Sequence, residues 1–260
     1  MKVALLFCGQ MRTFDHPKVL EFNNTLIEKF NCDVFVSTWE NRGVSMWTVN
    51  TQDLNLYDEH KDEKISEIDV NLIKNVKDFQ ILNYDEYLDK YSLDEIKQGL
   101  LDNSWSLGSV TSHPQAYTMH VAALMKQKYE KENNIKYDVV IKSRPDFFQV
   151  HNDIEKYFEQ LENTCYNINI GLSYCPNRVY DIFLLSDSST MDILCDVYSN
   201  YSFLSETSHG NHLSKYDACR LLYAQCIENN IIVKSFDKVL GDIFRIENYK
   251  DPDWLENYYR

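Results

Sequence analysis

An acidic and a basic residue follow an apolar run in the segment Lys142-Ser143-Arg144-Pro145-Asp146. A carboxylate at the end of a buried strand is where α/β enzymes hold a divalent metal on a diphosphate. A guanidinium group neutralises phosphate charge through its fork of N–H donors. The spacing therefore predicts Asp146 as a metal ligand and Arg144 as a phosphate contact. The alternative is an ordinary salt bridge at the end of a strand.

Two further segments end apolar runs with polar groups. In Phe7-Cys8-Gly9-Gln10-Met11-Arg12, Gly9 allows close approach of the backbone to a ligand and Arg12 offers a phosphate contact. In Thr38-Trp39-Glu40, the indole ring of Trp39 is placed either to stack on a ligand ring or to fill the core. The chain lacks Gly-x-Gly-x-x-Gly and Gly-x-x-x-x-Gly-Lys, so the usual dinucleotide and P-loop signatures are absent.

The elements that must position these segments form a strand–helix–strand unit. Residues 2–7 form a short apolar run typical of a strand buried on both faces of a parallel sheet, and residues 32–39 predict a second strand. Between them, apolar residues recur at helical spacing after Pro17, and Asp15 is expected to cap that helix. Residues 137–143 predict a central strand. The expected fold class is α/β, a single Rossmann-like domain with a mostly parallel central sheet flanked by helices.

The remaining elements follow the same logic. Residues 40–75 are expected to be a solvated insertion, and residues 104–113 a loop over the ligand that includes Trp105. Helices are predicted over 84–101, 114–133, 190–200 and 216–229, and strands over 78–82, 165–172, 178–186 and 231–235. The domain divides into residues 1–150, expected to bind the ligand, and residues 151–260, expected to face a second substrate.

Composition excludes several classes of protein. The 260 residues carry a net charge of −14, which disfavours nonspecific binding of nucleic acid. The mean hydropathy of −0.45, with no long apolar run, predicts no membrane span. Seven irregularly spaced cysteines without a Cys-x-x-Cys pair favour free thiols in the cytoplasm. The oligomeric state is left open by the sequence.

Four segments together resemble a family of glycosyltransferases found in large DNA viruses, phages and bacterial surface-polysaccharide loci. They are residues 4–14, 33–39, 137–146 and 180–186, the last followed by Met191-Asp192. The resemblance spans residues 2–235 through these short motifs. It implies a GT-A fold, a nucleotide-diphosphate sugar as donor, a glycan or other hydroxyl acceptor, and Mn²⁺ or Mg²⁺.

The resemblance also assigns roles to single residues. It implies that Gly9, Gln10 and Arg12 line the nucleotide, and Arg144 and Asp146 stand where GT-A enzymes have an Asp-x-Asp motif. Because Arg144 replaces the first carboxylate, metal dependence is left open. His209 or His212 is either a second metal ligand or, as is more common for such a pair in a polar loop, solvated. The adjoining residues assigned to the same cofactor-binding site are Phe7, Thr38, Trp39 and Lys142.

An inverting transferase needs a carboxylate base near the acceptor oxygen, whereas a retaining one does not. Asp181 is the first candidate because it opens an apolar strand, and Glu206 and Asp217 follow. The predicted catalytic residues are therefore Asp181, Asp146 and Arg144. Two alternatives are a glycan- or nucleotide-binding module without turnover and, with less support from the single glycine of its first loop, a nucleotidyltransferase.

Overall fold

The computed structural model describes residues 1–43, 63–90, 107–149, 153–168, 178–207, 218–237 and 241–243. Within these ranges the strands are β1 Val3–Cys8, β2 Asp33–Trp39, β3 Val76–Leu82, β4 Val139–Ser143, β5 Phe147–Gln149, β6 Thr164–Asn167, β7 Phe183–Ser186, β8 Ile232–Ser235 and β9 Gly241–Ile243. The helices are α1 Pro17–Phe30, α2 Glu67–Val70, α3 Tyr84–Lys90, α4 Leu107–Asn133, α5 Ser188–Cys195, α6 Tyr201–Glu206 and α7 Ala218–Glu228. A 3₁₀ helix spans Ile154–Gln160.

One seven-stranded sheet takes strands from both halves of the chain, in the order β3-β2-β1-β4-β7-β6-β8. The pairs β1–β2, β2–β3, β1–β4 and β6–β8 are parallel. Only β7 runs against its neighbours in this sheet, pairing antiparallel with β4 and β6. The predicted α/β class with a mostly parallel sheet is confirmed, and β4 is its middle strand.

The core lies in two layers, one on each face of the sheet. Side chains alternate between the two faces along a strand, so Val3, Leu5 and Phe7 of β1 pack on the α1 side while Ala4 and Leu6 pack on the α4 side. All six residues of β1 are buried, as their uninterrupted apolar sequence predicts. The sheet is therefore covered on both faces at β1, near its middle.

The ends of two helices differ from expectation. His16 caps α1, its ring nitrogen accepting from the backbone N–H of Lys18 at 3.3 Å, while Asp15 pairs with Arg42 instead. Pro17 at the first position of α1 suits the fixed φ of proline. Helix α4 begins at Leu107 rather than at Pro114, so residues 107–113, expected to form a loop, are helical. Residues 104–106 lie outside the described ranges.

The described cysteines are free thiols, and most of them lie in the core. Six cysteines in the described ranges are free, and five of them are buried. Burial raises the pKa of the Cys8, Cys32 and Cys226 thiols to about 12, which makes them core residues rather than nucleophiles. Among the described helices none has the length and apolarity to cross a membrane.

Candidate functional site

The candidate site lies at the carboxyl ends of β1, β2 and β4. In open parallel sheets this edge is where ligands bind, because the loops that leave neighbouring strands meet there. Since β7 is antiparallel to β4, residues just before β7 reach the same edge, and the backbone N–H of Arg144 donates to Ile182 O at 2.9 Å. Both halves of the chain therefore contribute to the site.

The loop after β1 has two left-handed residues. Gly9 has φ +108° and its N–H donates to Ser37 O at 3.1 Å, which keeps the loop against β2. Arg12 has φ +39°, a conformation that costs energy for a residue with a Cβ and that clusters at functional sites. The loop is therefore bent at Gly9 and again at Arg12.

Arg42 holds the bend at Arg12. The backbone N–H of Arg12 donates to Arg42 O at 3.0 Å, and Arg42 Nε donates back to Arg12 O at 2.5 Å. The guanidinium of Arg42 also pairs with Asp15 and, at 3.0 Å, with Glu63. Arg42 is thus neutralised by two carboxylates, and its contribution to the site is to position Arg12.

Two guanidinium groups converge on one buried carboxylate. Arg144 binds Asp146 through two bonds, Nε to Oδ1 at 2.9 Å and Nη2 to Oδ2 at 2.7 Å. Arg12 Nη1 reaches the same Oδ2 at 3.3 Å, and Arg12 Nη2 donates to Gln10 Oε1 at 3.1 Å. Asp146 is fully buried, whereas the side chains of Arg12 and Arg144 are 19% and 16% exposed. We call Arg12, Asp146 and Arg144 the arginine–aspartate triad.

The turn that places the triad is fixed from both sides. Phe147 N–H donates to Arg144 O at 3.1 Å, closing a tight turn over Pro145 and Asp146. Asn23 of α1 donates through Nδ2 to Pro145 O at 3.1 Å. The predicted role of proline, to direct Asp146 by fixing the turn, agrees with this geometry.

Taken by themselves, the three side chains of the triad carry an excess of one positive charge, since two guanidinium groups face one carboxylate. Guanidinium groups form short, charge-assisted bonds to phosphate oxygens in the same fork geometry that they use with carboxylates. Because the two guanidinium groups are partly exposed and the carboxylate is not, the triad presents positive charge at the sheet edge. It is suited to a phosphate or diphosphate.

A divalent metal does not fit the described residues of this site. Both oxygens of the Asp146 carboxylate accept bonds from guanidinium groups, so a cation there would have to displace a bound arginine. No group of three or more His, Cys, Asp or Glu in the described ranges has a metal-binding arrangement. The geometry therefore favours Asp146 as an anchor for two arginines rather than as the predicted metal ligand.

Asp181 reaches the edge from the second half of the chain. Its backbone oxygen accepts from Nζ of Lys142, and its carboxylate lies 4.0 Å from Cys219 Sγ. Lys142, which the sequence assigned to the ligand site, is fully buried, and its bond to Asp181 O supports the turn before β7. Asp181 is partly exposed, and it lies one residue from the backbone bond that joins β7 to Arg144.

Three residues expected to line a nucleotide lie inside the protein. The side chains of Phe7 and Thr38 are fully buried and Trp39 is 3% exposed. Trp39 fills the α4 side of the core, with its ring centroid 5.1 Å from that of Tyr84 and 5.0 Å from that of Tyr87. The alternation of strand side chains directs these residues into the core layers, so only their backbone borders the edge.

Gln115 of α4 is a site residue that the sequence pattern did not indicate. A Cβ added at Gly9 would lie 2.7 Å from Gln115 Oε1, so the amide group rests on the loop after β1. Gln115 Nε2 is buried without a hydrogen-bond partner among the described residues, and so is Ser37 Oγ. Gln115 and Ser37 lie on either side of Gly9. No local sequence pattern indicates Gln115, because Gly9, the residue that it contacts, lies more than 100 positions away in the sequence.

The other candidates fall elsewhere. Glu206 is exposed at the end of α6. Tyr117 is half-buried on α4 and joins the ring cluster of Trp39, with centroids 6.1 Å apart. Trp105, His209, His212 and Asp217 lie outside the described residues.

The sequence matches no known protein family and no curated protein. The structure is similar to glycosyltransferase GlyE of Streptococcus pneumoniae TIGR4, with a TM-score of 0.39 and 11% identity over 91% of this chain and 46% of that one. It is also similar to PaToxG glycosyltransferase (TM-score 0.32, 11% identity, 99% and 73% covered) and to mouse xyloside xylosyltransferase 1 in its apo form (TM-score 0.35, 12% identity, 91% and 86% covered). This chain thus spans less than half the length of GlyE. TM-scores below 0.5 do not establish a common fold.

Proposed function

We propose that this protein is a GT-A-like glycosyltransferase that moves a sugar from a nucleoside-diphosphate donor to a hydroxyl acceptor. The observation that supports the proposal is the arginine–aspartate triad. It joins the loop after β1 to the end of β4, two of the segments that resemble the transferase family. The expected donor position is the carboxyl edge of the sheet.

The triad suits the leaving group of this reaction. When the glycosidic bond to the donor breaks, negative charge develops on the diphosphate, and donors already aimed at that charge stabilise the transition state. Arg12 and Arg144 are held by Asp146 before any ligand arrives, so little reorganisation is needed at the moment of reaction. The close approach that Gly9 permits is taken by Gln115, whose Oε1 would lie 2.7 Å from a Cβ at this position, so the two residues together border the proposed donor site.

Asp181 is the proposed base if transfer inverts the sugar configuration. It would accept the proton of the acceptor hydroxyl as that oxygen attacks the anomeric carbon. The bond from Lys142 to the Asp181 backbone fixes its turn beside Arg144. The acceptor, a glycan or another hydroxyl compound, would then approach from residues 151–260. The proposed compartment is the cytoplasm, on the basis of the free thiols.

A panel of nucleotides tests the proposal. UDP, GDP, CDP and their sugars should raise the melting temperature, and a ligand at 100 times its Kd stabilises by about 2.7 kcal/mol. One of these donors should release free nucleoside diphosphate in the presence of the protein. A panel with neither stabilisation nor release would refute the proposal.

Asp181→Asn separates the proposed base from the donor site. The variant should lose transfer while it still binds the nucleoside diphosphate, because the triad is untouched. Asp138→Asn is a matched control, since Asp138 is an exposed aspartate that bonds Lys2 N–H at 2.6 Å far from the sheet's carboxyl edge. Equal turnover in Asp181→Asn and Asp138→Asn would remove Asp181 from the reaction.

A binding module without turnover is a second candidate. It is favoured by the state of Asp146, whose two oxygens are both bonded to guanidinium groups and so take no further part in chemistry. Such a module would be stabilised by a nucleoside diphosphate or a glycan but would release no product from any donor. The release assay therefore decides between the two functions.

A further inference from the structure

We propose that this site binds the diphosphate of its ligand through Arg12 and Arg144 without a divalent cation. In this arrangement Asp146 is a positioning residue that holds the two guanidinium groups together. The inference rests on the proposed function and specifies how the donor is held. It departs from the Mn²⁺ or Mg²⁺ that the resemblance implies.

The first argument is the use of the carboxylate. Arg144 occupies one bond on each oxygen of Asp146, and Arg12 adds a second bond to Oδ2. Metal ligation needs carboxylate oxygens that face the cation. Here they face two positive charges, and the side chain that bears them is fully buried.

The second argument is that charge of the right sign is already present at the surface of the triad. The guanidinium groups are partly exposed while their shared carboxylate is not. A divalent cation in a transferase neutralises diphosphate oxygens, and two forked guanidinium groups perform the same task with hydrogen bonds added. The replacement of the first carboxylate of an Asp-x-Asp motif by Arg144 thus exchanges a metal ligand for a cation.

The third argument is rigidity. The backbone of Arg12 is fixed by two bonds with Arg42, one from Arg12 N–H to Arg42 O and one from the side-chain Nε of Arg42 to Arg12 O. The turn that bears Asp146 is fixed by Asn23 and by the bond from Arg144 N–H to Ile182 O. These bonds come from α1, from the segment after β2 and from the residue that precedes β7. The two guanidinium groups therefore keep their separation without a metal to organise them.

The test measures binding of UDP, GDP and CDP to the full chain by calorimetry, once in EDTA and once in excess Mn²⁺ or Mg²⁺. The expected result is that at least one of these nucleotides binds in EDTA with an affinity within about threefold of that with metal, well under the tenfold that corresponds to 1.4 kcal/mol. Binding that occurs only with metal would overturn this inference and leave the proposed function standing. Absence of binding in both conditions would overturn the proposed function as well.

Variants locate the effect. Arg144→Gln and Arg12→Gln should each weaken diphosphate binding by about 10- to 100-fold, the range expected for loss of charge-assisted bonds. Lys29→Gln, which breaks the exposed pair with Glu155 at 2.9 Å, is the matched control and should bind as the unaltered chain does. Should a glutamine variant fail to fold, Arg144→Lys keeps the charge, loses the fork and should give an intermediate loss. Equal affinity in the arginine variants and the control would overturn the inference.

Asp146→Asn distinguishes positioning from general structure. The ratio of affinities for UDP and UMP, or for the diphosphate and monophosphate of whichever base binds, reports how well the two guanidinium groups act together. A positioning role predicts that this ratio falls in folded Asp146→Asn, whereas a merely structural role lowers both affinities alike. An unchanged ratio would overturn the role assigned to Asp146.

Discussion

Replacing Asp146 by asparagine should destabilise the fold through the loss of one buried negative charge. Removing one partner of a buried ion pair costs about 3–5 kcal/mol, because the other charge is left without compensation. Here the partners are 16% and 19% exposed, so water relieves part of the penalty and the expected loss is at the lower end, about 3 kcal/mol. For a chain of this size that lowers Tm by about 6–12 °C.

Urea denaturation and a thermal scan of Asp146→Asn measure this loss. The control is Glu155→Gln, which breaks an ion pair of similar length, 2.9 Å, whose two side chains are 35% and 51% exposed. Solvent screens such a pair, and its loss should cost under about 1 kcal/mol. If Asp146→Asn costs no more than Glu155→Gln, the carboxylate does not hold the two arginines together and the description of the triad is wrong.

Three further perturbations test other parts of the structure. Gly9→Ala should lower the free energy of unfolding, measured in urea, by more than about 1 kcal/mol, because φ is positive and the new Cβ would contact Gln115 Oε1. In the double variant Gly9→Ala/Gln115→Ala, only the part of this loss that comes from the Cβ contact should be recovered, and the part that comes from the backbone conformation should remain. Burial lowers the pKa of His113 to about 4. Between about pH 6.5 and pH 4 the ring is therefore protonated in the unfolded chain but neutral in the folded one. The free energy of unfolding should fall by about 2 kcal/mol as the pH drops through this range, a value that allows for the partial exposure of the ring. His113→Gln should flatten that slope in urea titrations at a series of pH values, and an unchanged slope would contradict the assignment. Lys126→Met should lower the free energy of unfolding by about 3 kcal/mol, because the buried carboxylate of Glu130 loses its ion-pair partner at 3.0 Å. A urea midpoint equal to that of the unaltered chain would contradict this prediction.

The strands that border the site were predictable from the sequence because their signal is local. Short, mainly apolar runs identified β1, β2 and β4 to within two residues, although β2 also contains Ser37 and Thr38 and β4 also contains Lys142. The short strands β5 and β9 were not predicted, because three residues are too few to show the alternation of apolar and polar residues that indicates a strand. The direction of β7 also escaped, because the direction of a strand depends on the connection that precedes it and not on its own residues.

The site was predictable only in part, for a related reason. Arg12, Arg144 and Asp146 were singled out because charged residues follow an apolar run at both places, and the structure brings the three side chains together. Their role in binding a ligand stays a prediction. The bond between Arg144 and Asp146 is the strand-end salt bridge that the sequence offered as the alternative. The bond from Arg12 joins positions 134 apart, which no spacing rule reports. The sequence placed Lys142 at the ligand site and left Trp39 either to stack on a ligand or to fill the core; in the structure both side chains point into the core. Gln115 was missed since its role follows from the packing of α4 on the loop after β1.

The reversed direction of β7 makes the two parts of the chain interdependent. A fragment cut after residue 150 would retain β4 but lose its partner strand, exposing the unpaired N–H and C=O groups that β7 covers from Val140 to Ser143. The same fragment would lack Asp181 and the carbonyl that anchors Arg144. Truncation at this boundary should therefore yield an aggregation-prone product rather than an autonomous nucleotide binder, and the chain is best regarded as one cooperative folding unit.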